Sequence, residues 1–146
     1  MPGAPENRIS LILDTNVFVA AYWAPSSASA RLIEACKIGL AQAHYSPEVR
    51  REVEHVLRTI KVRDSYLRSL DSFWENAIEV PGAPVESVRT EDPDDQKFLE
   101  AAFGGDTDFL VTNDVHLLKV GYVGRTEIVT PRSAVRLIGL SSAPKA

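Results

Sequence analysis

Four carboxylates are placed where they could do chemistry together: Asp14, Glu52, Asp95 and Asp114. Asp14 closes the apolar run Ile9-Ser-Leu-Ile-Leu13, and Asp114 lies two residues past Thr112, after Phe109-Leu-Val. Both runs read as buried strands, so both acids fall at strand ends. Asp95 has Phe98, Leu99 and Ala102 at i+3, i+4 and i+7, which puts it on the apolar face of a helix, while Lys97 and Glu100 fall on the other side. A carboxylate turned toward a core is costly unless something pairs it. The helix N-terminus compensates in part, and a bound cation would compensate more. Glu52 sits beside the arc formed by Val49, Val53, Val56 and Leu57, roughly 40° outside its edge at about 100° per residue. Two blander readings stay open at this level: a capping-turn aspartate for Asp95 and a solvated helix face for Glu52.

Converging carboxylates repel, so one must protonate or a cation must bind. An oxygen-only ligand set without Cys or His points to Mg²⁺ or Mn²⁺. Such ions suit phosphodiester hydrolysis: one activates a water, and a second about 4 Å away can stabilise the leaving oxygen. Other chemistries find no support. Cys36 is the lone cysteine, which excludes an intrachain disulfide and a multi-cysteine zinc site. His44, His55 and His116 form neither a catalytic triad order nor a metal-binding pair, and no Gly-rich phosphate loop is present. Trp23 and Trp74 read first as packing residues and second as stacking platforms for bases.

The net charge of −4 argues at face value against a nucleic-acid partner. Its distribution says more. Arg31 to Leu70 holds eight basic and five acidic residues, whereas Asp71 to Asp114 holds twelve acidic and two basic. A basic flank beside a cation-binding pocket is one reading of this, and two solvated faces is the other.

The elements that must position these acids follow from pattern. The chain length of 146 residues suits one domain with a real core, here set at 8–139, with 1–7 and 140–146 as flexible termini. No apolar run approaches the roughly 20 residues of a membrane helix, and MPGAPENR is not a secretory leader, so a cytoplasmic location is expected. After the first strand, a helix starts near Asn16 and breaks at Pro25-Ser-Ser; a second, through Leu32 and Cys36, stops at Gly39. Leu40–Tyr45 is a second strand, and Ser46-Pro47 caps the helix carrying Glu52. Asp64 is expected to cap one amphipathic helix running from Tyr66 through Leu70, Phe73 and Trp74 to Ile78. Pro81-Gly-Ala-Pro84 is a loop, and Asp92-Pro93 starts the helix carrying Asp95. A strand over Phe109–Thr112, a short helical piece over Asp114–Leu118, a last strand at Glu127–Val129 and a last helix from Pro131 complete the chain. Alternating strands and helices imply an α/β fold with a mostly parallel sheet, whose site lies beyond the carboxyl ends of the strands.

In this order the residues resemble the PIN-domain family, in particular its toxin components of bacterial and archaeal toxin–antitoxin pairs, the VapC-like group. Ile-Leu-Asp14-Thr15-Asn16-Val is similar to the family's first motif, and Ser46-Pro-Glu-Val-Arg-Arg-Glu52-Val-Glu-His-Val-Leu57 to its second. Asp92-Pro-Asp-Asp95-Gln-Lys-Phe-Leu-Glu resembles the third, and Asp108-Phe-Leu-Val-Thr112-Asn-Asp114 the fourth. The match spans about Ile9 to Ile138. The resemblance implies a three-layer fold and a Mg²⁺- or Mn²⁺-dependent endoribonuclease, with Asp14, Glu52, Asp95 and Asp114 as catalytic metal ligands. It further implies Asn16 and Thr112 as groups that orient carboxylates or a water. Arg50, Arg51 and Arg58 are candidates for RNA phosphate contacts. The expected partners are RNA, an antitoxin protein and a second copy of the chain. The competing readings are a non-catalytic PIN-fold module for RNA or protein binding, and another Mg²⁺ α/β protein. A dehalogenase-type phosphatase would need an aspartate at Asn16, and a phosphoacceptor receiver would need an earlier acidic pair; neither fits.

Overall fold

The computed structural model describes residues 8–85 and 92–140. The flexible termini expected at 1–7 and 140–146 lie outside the described residues except for Leu140, whose N–H donates to the Val135 carbonyl at 3.0 Å.

A six-stranded sheet organises the chain. β1 (Ser10–Leu13), β2 (Gln42–Tyr45), β3 (Ile78–Glu79), β4 (Phe109–Val111), β5 (Tyr122–Val123) and β6 (Thr126–Val129) lie in the order β3-β2-β1-β4-β6-β5. All neighbours are parallel except β5 and β6, which form an antiparallel hairpin. All four residues of β1 are buried, on both sides of the strand. A strand alternates its side chains between two faces, so layers of helix must cover both. α2 (Ala28–Lys37) packs against α1 (Thr15–Trp23), α5 (Asp71–Asn76) and α8 (Pro131–Leu137), while α6 (Gln96–Gly105) packs on β1, β2 and β4. This is the α/β architecture with a mostly parallel central sheet that the alternation of elements implied.

Local signals explain where the helices begin. Ser27 and Ser46 each accept a hydrogen bond from the backbone N–H three residues on, at the starts of α2 and α3 (Pro47–Thr59). Asp92 accepts from the Asp94 N–H and opens a 3₁₀ turn, Pro93–Asp95, that runs into α6. One glycine matters for packing here. A Cβ on Gly104 would lie 1.9 Å from the Pro81 carbonyl oxygen, so only glycine lets that loop cross the end of α6.

The structure departs from pattern in four places. The single helix expected over Tyr66–Ile78 is two short ones, α4 (Asp64–Ser69) and α5, with Leu70 serving as the end of one and the start of the next. Tyr66 is tied to the Phe18 carbonyl at 2.6 Å, while Leu70, Phe73 and Trp74 turn into the core, and one straight helix does not serve both anchors. Ile78, expected on that helix, instead pairs with His44 as part of β3 and is exposed. Asp64 is the first residue of α4 rather than its cap, a place held by Arg63. β5 was not anticipated: it is two residues long, and its two-residue turn uses Gly124 at φ +58°. Trp74 belongs to the core, stacked on Phe18 with centroids 5.7 Å apart, whereas Trp23 is 69% exposed.

Candidate active site

The carboxyl edge of the sheet gathers the acids because parallel strands all end there. Asp14 is the residue after β1 and caps α1, and its N–H is held by the Val111 carbonyl of β4 at 3.0 Å. Asp114 follows β4 and caps α7 (Val115–Val120), accepting from the His116 N–H at 2.8 Å. α6 runs back from this edge toward the start of β4, so its first residues, with Asp95, return to the same place. Glu52 reaches it from the second turn of α3.

Thr112 connects two of these groups. Its hydroxyl donates to Asp14 Oδ2 at 2.6 Å and accepts from the Asp114 N–H at 2.8 Å. Asp14 and Thr112 are both buried, so the geometry is held in a dry setting. Asp92, Asp95 and Asp114 each offer a carboxylate oxygen, all within 4.8 Å of one another. Asp95 is only 8% exposed, and its Oδ2 has no hydrogen-bond partner. A buried oxygen without a donor is costly in a folded protein, and it lies beside two further carboxylates.

The electrostatics follow from this crowding. Burial raises the Asp14 carboxyl; the Thr112 hydroxyl and Thr15 N–H pull it back, and the charges of Asp114 and Glu52 push it up again, leaving it above the ordinary value. Asp95 is pushed up to about 8 by burial, by its hydrogen bond with Asp114, and by the charges of Asp114, Asp14 and Asp92. Asp114 moves the other way, chiefly because it receives that hydrogen bond. Without a cation, this crowding favours a proton on Asp95 and the ionised form of Asp114. The oxygen-only donor set and the partnerless Oδ2 fit a hard divalent ion, which would displace that proton.

Not every residue singled out in the sequence has the expected surroundings. Glu52 is at the site, but its oxygens are engaged: Oε2 accepts from Thr15 Oγ1 at 2.8 Å, and Oε1 pairs with Lys97 Nζ. Asn16 is exposed in the first turn of α1, and no described residue hydrogen-bonds its side chain. Arg50 stacks on the Trp74 ring at 4.6 Å and pairs with Glu54 at 3.0 Å, while Arg51 and Arg58 are exposed on α3. Three residues at the site are not assigned to it by pattern alone. Pattern gives Thr15 no role, makes Asp92 part of a helix start and turns Lys97 outward. The triplet after β1 and the clustering of Glu91, Asp92, Asp94 and Asp95 held a signal for the first two. Lys97 had none, because a long side chain can curl back over its own helix end.

Comparison with known proteins agrees with this picture. The family profile described as PIN domain matches residues 10–116. Among solved structures, the chain is similar to one in the crystal structure of VapBC2 from Rickettsia felis bound to a DNA fragment from their promoter. The TM-score is 0.60 at 14% identity, covering 84% of this chain and 98% of that one. No curated protein matches significantly by sequence.

Proposed function

Since the chain belongs to the PIN-domain family, we propose that it is a Mg²⁺- or Mn²⁺-dependent endoribonuclease, the toxin of a toxin–antitoxin pair. The observation that carries this reading is the buried Asp95, whose Oδ2 is partnerless among the described residues and whose carboxylate clusters with those of Asp92 and Asp114. Asp14, Asp95 and Asp114, with Asp92 beside them, would hold the ion, and Glu52 completes the acidic wall. When bound, the ion offsets the clustered negative charge and supplies the Lewis acidity that activates an attacking water. The chain's own residues fix the geometry. Thr112 locks Asp14 against Asp114, the first turn of α7 orients Asp114, and Thr15 orients Glu52. Asp114, held ionised, is placed to accept a proton from a water. Arg51 and Arg58, exposed on α3, would meet RNA phosphates, whereas Arg50 packs α3 onto Trp74.

The likeness to a VapBC2 chain supports an antitoxin as partner, with a cationic side chain suited to this acidic pocket. A homodimer and a cytoplasmic site of action belong to the same proposal. Among the described residues, no helix is long and apolar enough to cross a membrane. The test is a cleavage assay on structured and unstructured RNA with Mg²⁺, Mn²⁺ or chelator, beside Asp14→Asn and Asp95→Asn. Metal-dependent cleavage lost in both variants is expected. Cleavage that survives both would remove the site, and an intact protein with neither cleavage nor Mn²⁺ binding would leave a non-catalytic binding module.

A further inference from the structure

We propose that Lys97 is a positioning residue standing where a second cation would otherwise sit, so that this acidic site takes one divalent ion and not two. The inference rests on the metal-dependent reading above. The acids divide into two groups with opposite surroundings. In one, Asp95 Oδ2 is buried and without a partner among the described residues, and an Asp95 carboxylate oxygen lies within 4.8 Å of one from Asp92 and one from Asp114. In the other, both oxygens of Glu52 are already satisfied by the chain itself, through Thr15 Oγ1 at 2.8 Å and the Lys97 ammonium. Lys97 is fixed further by donating to the Asp94 carbonyl at 3.1 Å, which holds its cation at the entry of α6. Both partners of the ion pair are about a quarter exposed, so the pair is only partly screened.

The arrangement has a charge logic. Glu52 repels Asp14 across the site and helps raise its pKa. A fixed ammonium cancels Glu52 without any ion, and it disfavours a divalent ion approaching the same oxygens. Removing the ammonium leaves Glu52 unpaired beside Asp14, which is a situation that attracts a cation.

The experiment counts Mn²⁺ ions on the metal-stripped full chain, by calorimetry and by electron paramagnetic resonance. The wild type is expected to bind one ion per chain and Lys97→Met two. Lys97→Arg, which restores a cation, should return to one. Glu52→Gln should also hold one, because Glu52 is not needed for that ion, whereas Asp95→Asn should weaken binding by about tenfold or more. Circular dichroism verifies that each variant is folded. Two ions on the wild type, or one on a folded Lys97→Met, overturns the assignment. If Lys97→Met does not fold, the other counts decide: no ion on Glu52→Gln makes Glu52 a ligand and equally overturns it. In each of these outcomes binding that depends on Asp95 survives, so the metal-dependent reading stands. Absence of Mn²⁺ on the wild type overturns both.

Discussion

The two edges of the sheet each carry a set of aspartates, and their treatment is opposite. At the amino edge, Asp106 and Asp108 are both paired to Arg125, at 2.9 and 2.8 Å, and Asp108 also accepts from the Ser10 N–H at 2.8 Å. Burial there raises Asp108, but the Ser10 and Arg125 donors outweigh it and hold the carboxyl below its ordinary value. At the carboxyl edge, Asp95 pairs with no cation among the described residues, one of its oxygens has no donor there, and it is pushed up to about 8. A cleft of about 860 Å³ lies at the amino edge, lined by Arg8, His44, Asp108, Arg125 and Glu127 among others. Its acids are already paired, so the chemistry points to the other end. The lesson is that an acidic cluster signals a cation site when its charges lack partners, not when it is merely large or acidic.

The largest test of this contrast is catalytic. Asp95→Asn or Asp14→Asn should cut RNA cleavage by on the order of 10³-fold, read by gel assay, because each removes a group the reaction depends on. Asp108→Asn should leave cleavage within about twofold; a matching loss there would erase the distinction between the edges.

A second test is the pH dependence of stability. Asp95 is raised from 3.8 to about 8 in the fold, so the folded protein keeps a proton that the unfolded chain has released. In the metal-free protein the stability that Asp95 contributes should then be fully present below about pH 4 and be lost as pH rises through about 8. Thermal melts across pH in chelator measure this. Mn²⁺ should reverse the fall, and Asp95→Asn should flatten it; a flat wild-type profile contradicts the burial of an uncompensated acid.

Third, Thr112→Val keeps shape but removes the hydroxyl between Asp14 and Asp114. Mn²⁺ affinity should drop by about tenfold, as measured by titration, with a loss of stability on the order of 1–2 kcal/mol from the unpaired Asp14 oxygen. An unchanged affinity would reduce Thr112 to packing. Fourth and smallest, Asp108→Ala should cost about 1 kcal/mol in urea unfolding at neutral pH, with Mn²⁺ affinity untouched. The depressed pKa of Asp108 makes that contribution present above pH 4 and lost only in stronger acid.

Much of the architecture was legible because the relevant signals are local. Ser46-Pro47 and Asp92-Pro93 announce helix starts, and Ile9–Leu13 and Phe109–Val111 announce buried strands by apolar content alone. Asp95 could be distinguished from Glu91, Asp92 and Asp94 because helical periodicity turns it inward, and it is the buried member of the described set. What was not legible depends on partners distant in sequence. The break at Leu70 is imposed by Phe18 and its neighbours, and β3 exists only because β2 offers an edge. Lys97 reads outward by periodicity, yet its ammonium returns to Glu52, 45 residues earlier. Side-chain length, not helical phase, decided that contact.

The hydroxyl of Thr112 meets Asp14 across 98 positions of chain. A ribosome making this protein therefore exposes Asp14 long before anything can hold it, and the wall of acids has no meaning until β4 has emerged and paired with β1. Activity on this plan arrives late and all at once. The acids of the site are brought together only once β4 lies beside β1.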